Sequence, residues 1–120
     1  ALAAGIAAAQ LGNRIGDIGA AISASVAPSG FSLAKDLVGH GVGYRIHEEP
    51  YVPNFGKSGV GDELVPGLVI AIEPMVNVGK ANWKTLKDGY TISTKDGSRS
   101  AHFEHTVAIT EDGPVILTAE

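Results

Sequence analysis

The stretch Leu68 to Val76, LVIAIEPMV, constrains this chain more than any other. Read as a strand it is apolar on both faces, so it has to be covered from both sides, and a central position in a sheet is expected. Glu73 sits inside that run, flanked by Val69, Ile70, Ala71, Ile72, Met75 and Val76. An ionised carboxylate there is costly unless a cation or tight hydrogen bonds compensate it. A salt bridge to Lys or Arg is the plain reading, but the sequence offers few arginines to make one. A metal ion is the other.

The remaining chain reads as the cover for that strand. The alanine-dense ALAAGIAAAQLG predicts a first helix, and the four-residue repeat of Ile18, Ile22 and Val26 predicts a second over Gly16–Val26, ended by APSG. From Phe31 the pattern turns to strands. These are FSLAKDLV, the central run, KTLKDGYTIST and SAHFEHTVAIT, with EDGP turning into a final VILT. Two helices followed by an antiparallel run of strands is an α+β arrangement. No repeat or linker divides it, and 120 residues at 44% hydrophobic suffice for one compact domain.

Composition removes several chemistries. With no cysteine there is no disulfide framework, zinc–thiolate site or thiol nucleophile, so any metal must be held by His, Asp and Glu. A net charge of −4 with nine scattered Lys and Arg gives no basic stripe for a phosphate backbone, and nucleic acid is not an expected partner. The apolar opening lacks a basic flank and makes a poor signal peptide, so a soluble protein away from the membrane is expected. The alanine helix at Ala1 reads as continuing from preceding chain.

Three residues stand out as candidate ligands. Glu104, in SAHFEHTVAIT, is a second carboxylate in a strand that Val107 and Ile109 mark as core. Alternation puts it on one face with His102 and Thr106, and a solvated edge strand would account for His102. Gly39, Gly41 and Gly43 allow positive φ or close backbone approach, so His40 can be aimed inward. Together His40, Glu73 and Glu104 form a nitrogen and oxygen set suited to manganese, iron, cobalt or zinc. His47 lies seven positions beyond His40, followed by two glutamates.

GHGVGYRIHEEPYVPNFG, AIEPMVNVGK, DGYTISTKDGS and SAHFEHTVAITEDGPVILT, in this order, resemble the C-terminal half of the type I methionine aminopeptidases. These are dinuclear metallohydrolases with the pita-bread fold, and the likeness runs from about Ile15 to Thr118. It implies that residues 1–120 are the C-terminal portion of one catalytic domain, two helices followed by a curved antiparallel sheet. It implies two divalent metal ions, with His40 and Glu73 on one, Glu104 bridging both, and Glu73 also moving protons. His47 would contact the substrate and the tetrahedral intermediate without binding metal, while Ile46 and Tyr90 would form part of the methionine pocket. The substrates implied are N-terminal methionyl peptides and nascent chains, handled by a cytoplasmic enzyme that is a monomer when full length.

Two departures accompany the likeness. The family's first half supplies two aspartates with ten residues between them, and Asp17, Asp36, Asp62, Asp88, Asp96 and Asp112 contain no such pair. Three of five protein ligands are then present, and a chain bearing only these is expected to be silent in catalysis. The inner face of Leu68–Val76 is expected to lie open as an apolar patch. Ile46 also replaces a frequent phenylalanine. An Xaa-Pro peptidase of the same fold and a non-catalytic pita-bread module are the competing readings. The first usually carries glycine after EP, where EPM stands here, and the second would show replaced ligands.

Overall fold

A computed structural model describes residues 1–119. Two helices, α1 (Leu2–Ala8) and α2 (Ile15–Val26), lead through a 3₁₀ turn (Ala27–Ser29) into ten strands. These are β1 (Ser32–Leu33), β2 (Gly39–Gly41), β3 (Glu48–Val52), β4 (Val69–Ile72), β5 (Met75–Asn77), β6 (Trp83–Thr85), β7 (Ile92–Thr94), β8 (Ser100–His102), β9 (His105–Thr110) and β10 (Gly113–Ile116). Every pairing of named strands is antiparallel. The α+β arrangement expected from the sequence is the one observed.

The start of α2 shows how local chemistry fixes an element. Asp17, in the first turn, accepts the backbone N–H of Arg14 at 2.7 Å and that of Gly59 at 2.9 Å. The Ser58 hydroxyl also donates to it. These bonds, with Ser58 the strongest, hold the Asp17 carboxyl below its ordinary range. They also tie the long 53–68 connection to the helix. On the opposite side Ile15, Ile18, Ile22 and Val26 are buried, the stripe the four-residue repeat predicts. Ile15, Ile18 and Ile22 pack with Val52, Leu64, Ile70, Ile72, Val107 and Ile109 in one core.

The five-stranded sheet has the order β10-β9-β4-β2-β3, and a three-stranded sheet the order β1-β5-β8. β4 and β5 therefore occupy the middle of their sheets, as the doubly apolar run demands, but they are two strands and not one. The run Leu68–Val76 is interrupted at Glu73–Pro74 because proline has no N–H to give to a ladder. SAHFEHTVAIT is interrupted directly opposite, at Phe103–Glu104, and likewise forms two strands. Ile72 pairs with His105 and Met75 with His102, so the register is kept through the gap. Glu73 thus stands opposite Glu104, and Pro74 opposite Phe103.

Three further expectations are corrected. FSLAKDLV is not one strand: β1 stops at Leu33, and Asp36 at φ 63° turns the chain before β2 begins. The last strand begins earlier than VILT, at Gly113. The expected open face along Leu68–Val76 is closed over β4, where Ile70, Ala71 and Ile72 are fully buried. The end of the run does open, for Pro74 and Val76 line an apolar groove of about 770 Å³ beside α1, together with Leu2, Phe31, Phe103 and Ile116. No helix among the described residues is long and apolar enough to cross a membrane.

Candidate metal centre

The gap in the ladder is where the two carboxylates meet the imidazole. β2 lies beside β4 with His40 opposite Ala71, which brings His40 to the end of β4 where Glu73 follows. The flanking glycines permit this by close approach, since neither Gly39 nor Gly41 has positive φ. A Cβ on Gly39 would fall 2.1 Å from the Ala71 carbonyl oxygen, and one on Gly41 2.1 Å from that of Glu49. No side chain fits at either position without moving a neighbouring strand.

His40 Nδ1 lies 2.9 Å from the Gly41 carbonyl oxygen, an acceptor, so that nitrogen carries the proton and donates. Nε2 then presents a lone pair toward Glu73, whose Oε1 is 3.4 Å away. Two facing acceptors repel one another unless a cation lies between them or His40 takes a second proton. Neighbouring donors on a tetrahedral ion at ordinary nitrogen and oxygen bond lengths stand about 3.4 Å apart, so the spacing is that of a coordination edge. One ligand atom each from His40, Glu73 and Glu104 lie within 4.8 Å of one another. The donor set, one imidazole and two carboxylates, fits a divalent first-row cation.

Electrostatics agree. Burial pushes the Glu73 carboxyl above its ordinary value and the facing charge of Glu104 adds to this, outweighing the opposing pull of His102 and His40. Two carboxylates opposite each other, one of them nearly buried, form a charge arrangement that a cation would relieve.

The other residues singled out in the sequence fall around this cluster. His47 ends the exposed loop between β2 and β3, its ring centroid 4.2 Å from that of His40 at an interplanar angle of 59°. It is outside the group of three. A cleft of about 1020 Å³ runs past His40, His47, Glu73, Met75, Tyr90 and His102. Tyr90 enters it from the turn joining β6 and β7, where the Asp88 carboxylate accepts the N–H groups of Tyr90 and Thr91 at 3.0 and 2.9 Å. The indole N–H of Trp83 donates to the Lys35 carbonyl and fastens this ribbon beside the cleft. Ile46 is 77% exposed and does not line the cleft.

Two residues of the site escaped the sequence reading. His102 lies at the end of edge strand β8, as a solvated position would, yet its Nε2 is 3.1 Å from Glu73 Oε2. Its place on the same face as Glu104 was the available signal. Asn54 is buried, and its amide N–H groups donate to the carbonyls of Leu37 at 3.1 Å and Glu73 at 3.2 Å. It thereby holds the approach to β2 against the interruption after β4. Nothing in a single sequence separates this asparagine from one in an ordinary turn.

The model of metallopeptidase family M24 matches residues 1–111. A methionine aminopeptidase of Clostridium perfringens is 54% identical over 114 residues, covering 95% of this chain and 46% of that protein. Methionine aminopeptidase A of Synechocystis is 52% identical, with 95% and 45% covered. Among solved structures, methionine aminopeptidase from Thermotoga maritima superposes with a TM-score of 0.96 at 47% identity, covering 99% of this chain and 48% of the other. Prolidase from Pyrococcus furiosus superposes with a TM-score of 0.72 at 24% identity, over 99% of this chain and 29% of that one, a likeness of fold alone. The chain spans about half the length of the relatives it matches, and it belongs to metallopeptidase family M24.

Proposed function

We propose that residues 1–120 are the C-terminal portion of a methionine aminopeptidase catalytic domain. It would remove the N-terminal methionine from nascent proteins in the cytoplasm and act as a monomer when full length. The observation that carries this reading is the His40, Glu73 and Glu104 cluster at the shared interruption of two strands. The methionine aminopeptidases at about half identity support it over an Xaa-Pro peptidase, whose likeness here is of fold alone. The intact donor set speaks against a non-catalytic module.

The residues present would hold divalent cations, cobalt, manganese, iron or zinc, with His40 and Glu73 on one and Glu104 reaching both. Cations bound there would acidify a water to act as nucleophile near neutral pH. Glu73, which lines the cleft, would take a proton from the attacking water and return it to the departing amine as the peptide C–N bond breaks. His47, exposed at the cleft and outside the ligand set, donates a hydrogen bond to the carbonyl oxygen as charge develops there. His40 is kept in one tautomer by the Gly41 carbonyl. Tyr90 and Ile46 supply apolar wall to the methionine side chain, Ile46 only once the rest of the pocket encloses its loop.

The test is a chimera joining this chain to the part of the Clostridium perfringens relative that it does not span. Loaded with manganese or cobalt, it should release methionine from a methionyl-alanyl peptide faster than leucine from the leucyl counterpart. It should leave an N-acetylated peptide uncut. Cleavage of the acetylated substrate, or preference for a proline second residue, would overturn the assignment.

A further inference from the structure

Of the four histidines, the ligand set and the proton and oxyanion roles leave His102 and His105 unused; His105 lies against the Thr118 hydroxyl, while His102 reaches the carboxylates. Its side chain is 48% exposed, yet Nε2 is 3.1 Å from Glu73 Oε2 and 4.0 Å from Glu104 Oε2. The preserved register accounts for the contact. His102 faces Met75, two residues beyond Glu73, so it is the diagonal cross-strand neighbour of Glu73 on the same face.

The two oxygens of Glu73 are thereby divided. Oε1 is turned to His40 and Oε2 to His102. At 3.1 Å a lone pair on each atom would repel, so His102 Nε2 bears a proton and donates it. The last torsion of a glutamate is broad and roughly two-fold, so the carboxylate does not fix its own plane. Among the described residues, no other hydrogen bond to the Glu73 carboxylate competes with this one.

We propose that His102 is a positioning residue, whose Nε2–H holds Oε2 of Glu73 so that Oε1 stays on the His40 side. A second lone pair on Oε2 remains free for a proton. His102 is not itself a ligand, because it is not among the three residues whose donor atoms lie mutually close. This inference rests on the reading of Glu73 as ligand and proton carrier.

The experiment measures manganese binding by calorimetry and steady-state kinetics on the chimera. His102→Ala is expected to weaken manganese affinity and lower kcat, each by about 10- to 100-fold, as loss of a ligand's supporting hydrogen bond does. The number of ions bound and KM for a methionyl peptide should stay nearly unchanged. His102→Gln, whose amide nitrogen can stand where Nε2 stands, should recover both losses. Affinity is measured without substrate, so it judges His102 even if the chimera proves not to cleave methionyl peptides. Unchanged affinity and kcat in the alanine variant would overturn the proposal. So would loss of one ion from the stoichiometry, which would make His102 a ligand, or a folded glutamine variant as impaired as alanine.

Discussion

Glu104→Ala in the chimera is expected to abolish turnover, by more than about 10³-fold, the scale seen when one member of a cooperating catalytic set is removed. It should also reduce two tightly held ions to one at most. The reason lies in the ladder: Glu104 is the cross-strand partner of Glu73 across the interruption, and among the described residues no further carboxylate joins the group of three. His102 Nε2 is 4.0 Å from Glu104 Oε2, but it is already engaged with Glu73. Two tightly bound ions by metal analysis, with unchanged turnover, would refute the bridging assignment.

His47→Ala should lower kcat by about 10²-fold, the cost of losing one donor to a developing oxyanion. Its metal content should match that of the unaltered enzyme. His47 sits in an exposed loop, tilted against the His40 ring, and contributes no atom to the cluster of donors. Elemental analysis beside the kinetics separates the two histidines. Loss of an ion from this variant would place His47 among the ligands and overturn the division of labour.

How far the site is legible in the sequence depends on whether a residue is anomalous where it stands. Glu73 and Glu104 are visible because carboxylates within apolar strand runs demand compensation, and His40 is visible through its glycines. Pro74 was present as a signal, but the apolar pattern on both sides hides the interruption it makes. Only the strand pairing reveals that two interruptions coincide and set Glu73 opposite Glu104. His102 looks like an edge-strand residue because it is one, and its function depends on a diagonal contact that needs the register. Asn54 acts through backbone carbonyls 17 and 19 residues away, which no local pattern encodes.

The helices show the complementary case. The Ile18, Ile22 and Val26 stripe is a local periodicity, and α2 buries that face as expected. The stretch FSLAKDLV carries a similar local pattern but fails as a strand, because Asp36 adopts positive φ and the chain must turn to bring Gly39 beside β4. Tertiary demand overrides propensity at that point. The same turn brings His40 to the end of β4.

The central claim is that these residues furnish one wall of a metal centre. Anomalous scattering from crystals of the manganese-loaded chimera measures that most directly. The account predicts a manganese peak at bonding distance from His40 Nε2 and a Glu73 oxygen. It also predicts a Glu104 oxygen shared with a second peak. Manganese peaks away from His40, Glu73 and Glu104 would contradict it.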